Sequence, residues 1–150
     1  MDLLGKSFYV GEHGRSMDEK LRVALPTKWR PENEVEDMFL ALPNPIGCIT
    51  VYPPKMVVRL EEKISEVSLG DRRGQMVLAK LFSRADTFCC DGKGRIKIDE
   101  RLIKHGDILR EVVFVGGGST FSIWNPEKFK VYMQQESLED VASILKGLGL

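Results

Sequence analysis

The sequence predicts an α+β protein that is mainly β and is built from two tandem copies of one unit. Three observations support this prediction. A segment that begins at Asp18 recurs 73 residues later, at Asp91, and a repeat of this kind indicates a duplicated structural unit. Each copy contains short stretches of alternating or β-branched apolar residues, which favour strands. Each copy then ends in apolar residues at helical spacing.

The repeat comprises three blocks, in the same order in both copies. Aspartate, lysine, arginine and two alternating aliphatic residues match in the first block. The paired blocks are residues 18–25 with 91–98, 37–41 with 111–115, and 49–54 with 121–126. We therefore expect a first unit at 5–69, an inter-unit helix at 70–85, and a second unit with C-terminal helices at 86–150. Units of about 75 residues bury little surface alone, so the two are expected to share a core.

Both units are expected to have one order of elements. A strand comes first, then a short helical turn, a buried strand, a loop rich in Gly or Pro, and a further strand. The ranges are 23–25 and 96–98 for the first strand, 27–30 and 99–103 for the turn, 38–41 and 112–115 for the buried strand, 43–47 and 116–118 for the loop, and 49–52 and 121–124 for the last strand.

Helices are expected to close each unit. Pro54 and Pro126 suit the first turn of a helix, and Met76 with Val77 marks a second helix between the units. Ser137 is a candidate N-cap for a C-terminal helix. The apolar stripes of these helices are expected to be packing surfaces, and the last is also a candidate contact with a neighbouring subunit.

Composition excludes several classes of protein. The chain has 22 Lys+Arg and 22 Asp+Glu, so it is no general polycation. The basic excess falls in residues 1–30 and 71–110, which is compatible with a local phosphate-binding face or with an ordinary mixed surface. No apolar run is long enough for a membrane helix, and the first residues do not resemble a signal peptide. We expect a cytoplasmic protein.

No catalytic site, metal or cofactor is predicted. Three cysteines, Cys48, Cys89 and Cys90, are an odd number and are expected to be reduced thiols. The chain has 2 histidines, and no set of four ligands with zinc-site spacing is evident. The glycine-rich segment 116–120 lacks the lysine of a phosphate-binding P-loop, so we interpret it as a loop between strands.

The motif Asp91-Gly92-Lys93-Gly94-Arg95 and its copy at 18–22, each followed by alternating aliphatic residues, resemble the MraZ family. The resemblance extends from about residue 9 to residue 129. It implies tandem AbrB-like units in which short strands and a swapped hairpin interleave into a barrel. It also implies a transcriptional regulator that forms a ring and binds direct repeats in the promoter of the division and cell-wall operon, in the cytoplasm at the nucleoid.

The resemblance also suggests roles for individual residues. Arginine can bind a phosphate or a guanine edge with two hydrogen bonds, and lysine supplies a compact positive charge. The expected contacts with double-stranded DNA are Lys20, Arg22, Arg15 and Lys28. The residues expected to shape the motif, or to serve assembly, are Asp18, Asp91, Lys93, Gly94 and Arg95.

The sequence departs from the family pattern at three positions. Leu21 stands where the motif has glycine, Arg15 where many relatives have histidine, and Asp99 where a proline closes the motif. Leucine at positive φ costs about 1–2 kcal/mol. We therefore expect the first loop to be either strained or rearranged, and we favour rearrangement, with Leu21 exposed to a thymine methyl group or a neighbouring subunit.

Two unequal units per chain can associate head to tail, and such a contact closes into a ring when the rotation allows it. We expect a homo-oligomer of more than four subunits, whose subunits point the same way and so match direct repeats in DNA. The alternative is an oligomeric protein-interaction scaffold, or an antitoxin-like adaptor, that lost DNA binding at the Leu21 loop. A steep dependence of DNA affinity on salt distinguishes the two.

Overall fold

The computed structural model describes residues 8–33, 37–135 and 138–150. These residues contain eight strands: β1 Glu12–Ser16, β2 Arg22–Ala24, β3 Phe39–Asn44, β4 Cys48–Tyr52, β5 Asp86–Phe88, β6 Arg95–Lys97, β7 Glu111–Gly116 and β8 Phe121–Trp124. In the same ranges the α-helices are α1 Pro54–Ser65, α2 Arg72–Phe82, α3 Glu100–His105, α4 Pro126–Met133 and α5 Leu138–Gly147. A 3-10 turn spans Thr27–Trp29. The fold is α+β and mainly sheet.

The strands form two antiparallel sheets. Six strands lie in the order β1-β7-β8-β4-β3-β5, while β2 and β6 form a separate two-stranded ribbon. Within the described residues the larger sheet has two edges, β1 and β5, and its hydrogen bonds do not close a barrel. Consecutive strands β1 and β2 thus lie in different sheets, so the turn between them is not the tip of a paired hairpin.

The two halves of the chain exchange their first strands. Strand β1, from the first half, pairs with β7 of the second half, where His13 lies opposite Phe114. Strand β5, from the second half, pairs with β3 of the first half, where Phe39 lies opposite Phe88. Strands β4 and β8 join the halves at the centre of the sheet. Because of this exchange, a strand and the residues that follow it in sequence can pack against different halves of the chain.

One core lies between the sheet and the ribbon. The inward side chains of the ribbon, Val23 and Ile96, are 1% and 0% exposed. They belong to the same buried cluster as the sheet residue Phe121, whose ring lies 5.0 Å from that of Trp29. The ribbon is therefore fixed to the sheet by its apolar face, which leaves its other face outward.

Most of the expected elements are present within a few residues of their predicted bounds. The exceptions are the first strand of each half, β1 and β5, which the sequence analysis missed. Strand β1 reads EHGRS and lies at the sheet edge, so it has no apolar alternation to reveal it. Strand β5 has only three residues, and one of them, Phe88, is buried.

The expectation that the helical stripes are packing surfaces holds only in part. Helices α1 and α2 have no buried residue. On α5 and just after its end, the apolar side chains Val141, Ile144, Leu145 and Leu148 are 43–68% exposed. The predicted cap Ser137 lies outside the described residues. No helix in the described part of the chain is both long and apolar enough to cross a membrane.

Candidate nucleic-acid interface

The turn that precedes β2 is organised by one carboxylate. Asp18 Oδ1 accepts hydrogen bonds from the backbone N–H of Lys20, at 2.9 Å, and of Arg22, at 2.8 Å. Its other oxygen, Oδ2, accepts one from Arg22 Nε at 2.8 Å. The backbone of Leu21 closes the turn by donating to the carbonyl of Asp18. Asp18 therefore holds both the turn and the orientation of the Arg22 guanidinium.

The turn that precedes β6 has the same hydrogen bonds. Asp91 Oδ1 accepts from the backbone N–H of Lys93, at 2.8 Å, and of Arg95, at 2.9 Å, while Oδ2 accepts from Arg95 Nε at 2.7 Å. The backbone N–H of Gly94 donates to the carbonyl of Asp91. We call residues 18–22 the first turn and residues 91–95 the second turn.

Hydrogen bonding favours the ionised form of both carboxylates. The backbone N–H of Arg95 is the largest contributor to a pKa of about 2 for Asp91, against an ordinary 3.8. The backbone N–H of Arg22 likewise lowers the pKa of Asp18. Both aspartates are therefore ionised at neutral pH. Each offsets part of the positive charge of the arginine bound to it and fixes the direction of that guanidinium.

The expected rearrangement around Leu21 does not occur. Leu21 has φ 62° and Gly94 has φ 75°, so both turns keep the left-handed backbone at this position. Two hydrogen bonds to the aspartate account for this, because the backbone N–H groups of Lys20 and Arg22 donate to it on either side of Leu21. Leu21 is half-buried and packs against the core cluster. Its side chain is therefore only partly available for contact with DNA or a neighbouring subunit.

The two turns lie at opposite ends of the ribbon, because each precedes its strand and the two strands are antiparallel. In the register of β2 and β6, Arg22 lies opposite Lys97 and Ala24 lies opposite Arg95. Alternate residues of a strand share a face, and Val23 faces the core. Arg22, Arg95 and Lys97 therefore occupy three of the four outward positions of the ribbon. The arrangement is a basic surface with one small apolar position.

Each turn is bordered by a segment from the other half of the chain. The first turn and residues 97–101 line a surface depression of about 680 Å³. The second turn lies beside residues 24–30, because the backbone N–H of Leu25 donates to the carbonyl of Gly94 at 3.0 Å. Lys28 and Arg30 therefore belong to a segment that borders the second turn, although in sequence they follow the first.

The structure places the remaining expected contact, Arg15, on β1. It lies opposite Val112, is half-buried, and donates from Nη1 to the carbonyl of Gly14. Lys20 and Arg22 lie together in the first turn, whereas Lys28 borders the second. Sequence reasoning did not single out Lys97, whose signal was its place in the alternating segment 95–98.

Other candidate sites have ordinary structural surroundings. None of the three cysteines forms a disulfide, and Cys48 and Cys90 are buried. Burial raises the pKa of the Cys48 thiol to about 11, so it is a poor nucleophile. Among the described residues, no group of three or more His, Cys, Asp or Glu could hold a metal ion. The glycine-rich segment joins β7 to β8, as expected, and Gly116 allows a close approach by the backbone of Tyr9.

Comparisons with known proteins agree on one family. A family model described as "MraZ protein, putative antitoxin-like" matches residues 81–146. A protein of Finegoldia magna named transcriptional regulator MraZ is 31% identical over 144 residues, which are 95% of this chain and 99% of the relative. Relatives of the same name in Syntrophomonas wolfei and Halothermothrix orenii are 30% and 28% identical, with the same coverage of both chains.

Proposed function

Because this chain belongs to the MraZ family of transcriptional regulators, we propose that it binds DNA sequence-specifically through the outer face of the β2–β6 ribbon. One observation carries the proposal. Two arginines, Arg22 and Arg95, lie diagonal to each other on the outward face of the ribbon, and each is bound by an aspartate that fixes its direction. Two-stranded ribbons fit the major groove of DNA, so this element has a suitable size and charge.

The proposed contacts in the first half are Lys20, Arg22, Arg15 and Lys28. Nε of Arg22 donates to Asp18, and the two terminal nitrogens of a guanidinium can still bind a phosphate or a guanine edge. Lys20 is exposed and only its backbone N–H is bound to the aspartate. Arginine therefore supplies direction at this site, while lysine supplies charge.

We further propose that the protein assembles into a ring of more than four subunits and binds direct repeats in the promoter of the division and cell-wall operon, at the nucleoid. The exposed apolar faces of α1, α2 and α5 support assembly, since such faces gain from a partner. A ring multiplies weak contacts into tight binding. Light scattering tests assembly, and a stable monomer at micromolar concentration contradicts it.

The division of the chain into units at 5–69 and 86–150, joined by an inter-unit helix at 70–85, stays part of this proposal. So does an AbrB-like swapped-hairpin arrangement of the units. The exchange of β1 and β5 between the halves supports it, since an intertwined pair of units requires strands that cross from one to the other.

Footprinting on the DNA upstream of the protein's own gene tests the function. We expect several protected segments of similar sequence in the same orientation, with an affinity that falls steeply as salt rises. Arg22→Ala should weaken specific binding by about 1–3 kcal/mol if the arginine reads a base edge. Lys80→Gln, on the exposed face of α2, is the control and should bind as the parent does. Unprotected DNA even at low salt contradicts the proposal.

A second candidate is an antitoxin-like adaptor that wraps a partner protein. The description of the matching family model, together with the exposed apolar helices, favours it. Under this alternative the ribbon plays no part in binding, so Arg22→Ala should leave partner capture unchanged. The footprint therefore decides between the two candidates.

A further inference from the structure

We infer that the end of the ribbon at the second turn is the principal phosphate-binding surface of this protein for DNA. This end consists of residues 91–95 and the bordering segment 24–30. The opposite end consists of residues 18–22 and the bordering segment 97–103. The inference rests on the proposed function and deepens it, since it states which of two similar surfaces dominates.

Charge separates the two ends although their backbones correspond. Residues 91–95 and 24–30 carry four Lys/Arg and one Asp, a formal charge of +3. Residues 18–22 and 97–103 carry four Lys/Arg and four Asp/Glu, a formal charge of zero. The potential that attracts a polyanion is therefore concentrated at the second turn.

Glycine at position 94 permits part of this concentration. A Cβ built on Gly94 would lie 2.2 Å from Nε and 2.4 Å from Cζ of Arg30. The Arg30 guanidinium therefore rests directly on the backbone of the second turn, where a side chain is excluded. Its Nε donates to the carbonyl of Leu25 at 3.3 Å, and a guanidinium has four further N–H donors on its terminal nitrogens. Arg30 thus places a cation beside Lys93 and Arg95.

The first turn lacks this cation. The residue that corresponds to Arg30 in the repeat is Ile103, and the residue that corresponds to Gly94 is Leu21. Both are apolar and pack against the core. The bordering segment instead brings Asp99 and Glu100 beside Lys20, and Asp99 is bound to Arg101 at 3.1 Å. Carboxylates that line the same depression as Lys20 oppose the approach of a phosphate.

Two lysines at the same position of the repeat allow a matched test. Lys20 and Lys93 are both exposed, and in both the backbone N–H is bound to the motif aspartate. Lys20→Gln and Lys93→Gln therefore remove one charge each without removing a hydrogen bond within the turn. Affinity for the footprinted DNA is measured for each at several salt concentrations, beside the parent and Lys80→Gln.

We expect Lys93→Gln to weaken binding at least fivefold at 0.15 M salt and to lower the slope of log affinity against log salt by about 0.9, because one phosphate contact contributes about that slope. Lys20→Gln should weaken binding by a clearly smaller factor, because the carboxylates beside Lys20 already offset part of its charge. Equal effects of the two variants, or a larger effect of Lys20→Gln, overturn the inference but leave the proposed function intact. A parent protein with no salt-dependent binding to that DNA overturns both.

Arg30→Gln gives a second measurement on the same end. It should also lower the salt slope, whereas Arg101→Gln at the opposite end should not, since Arg101 is already bound to Asp99 and to the carbonyl of Ser83. Urea midpoints at fixed protein concentration show whether either change acts through folding. A loss of affinity without a lower slope in Arg30→Gln contradicts a phosphate contact.

Discussion

The first and second turns have the same backbone and the same three hydrogen bonds to an aspartate, but they differ in what covers them. At the second turn Gly94 leaves room for the Arg30 guanidinium. At the first turn Leu21 fills the corresponding position and packs against the core. The comparison shows that the aspartate maintains the shape of the turn, while the residue after the lysine determines whether a cation or an apolar side chain lies over it.

The difference also shows how two halves with corresponding turns can present two unequal ends of one ribbon. Because the halves exchange strands, each turn is completed by a segment from the opposite half. The effect of a substitution at Leu21 therefore depends on the bordering residues 97–103 of the second half, and not on the corresponding segment of its own half. Substitutions at the two turns separate the effect of the backbone conformation of a turn from the effect of the residues that border it.

The largest effect is expected when the second turn is given the residue of the first. Gly94→Leu should lower the free energy of unfolding by about 2–5 kcal/mol, because positive φ costs leucine about 1–2 kcal/mol and overpacking against Arg30 costs about 1–3 kcal/mol. Urea denaturation measures the loss. Gly92→Leu is the control, since Gly92 is exposed with no atom within 4 Å of a built Cβ.

Arg30→Ala in the Gly94→Leu background should restore part of the lost stability, since it removes the side chain that leucine displaces. A Gly94→Leu variant as stable as the Gly92→Leu control would mean that the two turns tolerate leucine equally, and that Arg30 does not occupy the space over the second turn.

Acid should affect both turns in the same direction. The pKa of Asp91 is about 2 in the folded protein against an ordinary 3.8, so its contribution to stability is full above about pH 4 and is lost as the pH falls towards 2. Asp91→Asn should therefore be less stable than the parent at neutral pH, and the gap should narrow between pH 4 and pH 2. Asp18→Asn should behave alike, because its pKa is also lowered.

Asp86 provides a control with the opposite sign. Burial, with a contribution from Asp99, raises the pKa of Asp86, so its ionised form opposes folding at neutral pH. Asp86→Asn should be more stable than the parent at neutral pH, and this gain should disappear as the pH falls.

The difference in free energy of unfolding between Asp91→Asn and the parent tests the role of the carboxylate. A difference that stays constant from pH 6 to pH 2 contradicts the hydrogen-bonded carboxylate as the origin of the turn.

The smallest effect is expected at Leu21. Leu21→Gly relieves about 1–2 kcal/mol of backbone strain, but it removes half-buried apolar surface and adds freedom to the unfolded chain. These effects nearly cancel, so the free energy of unfolding should change by less than about 1 kcal/mol. Leu21→Ala keeps the strain and loses the packing, so it should be less stable than Leu21→Gly. The opposite order means that the backbone strain at Leu21 costs less than the freedom that glycine adds to the unfolded chain.

The sequence was sufficient to predict the strands and helices that have a local pattern of residues. The strands at 95–97 and 121–124 and the helices that start at Pro54 and Pro126 follow from local patterns, because alternation and proline position act over a few residues. The edge strands β1 and β5 were missed because their residues are too polar or too few to form such a pattern. Their pairing depends on partners in the other half of the chain.

The sequence predicted candidate residues, whose role in binding DNA stays a prediction, but it did not predict how they are grouped in space. Lys20 and Arg22 share a turn, as their spacing indicates, whereas Lys28 borders the second turn because of the strand exchange. The backbone of Leu21 was also predicted wrongly. A propensity argument treats the residue alone, while two backbone hydrogen bonds that Asp18 accepts and packing against the core outweigh that local cost.

Photo-crosslinking tests most directly whether the ribbon is the surface that contacts DNA. Lys20→Cys, Lys93→Cys and Lys97→Cys place a thiol-linked benzophenone on the ribbon or its turns, and Lys80→Cys places one on α2. The labelled parent corrects for reaction at Cys89, which is half-buried. We expect crosslinks to the footprinted DNA from the three ribbon positions, most strongly from Lys93→Cys, and none above the parent from Lys80→Cys. Crosslinks from Lys80→Cys without any from the ribbon would contradict the account.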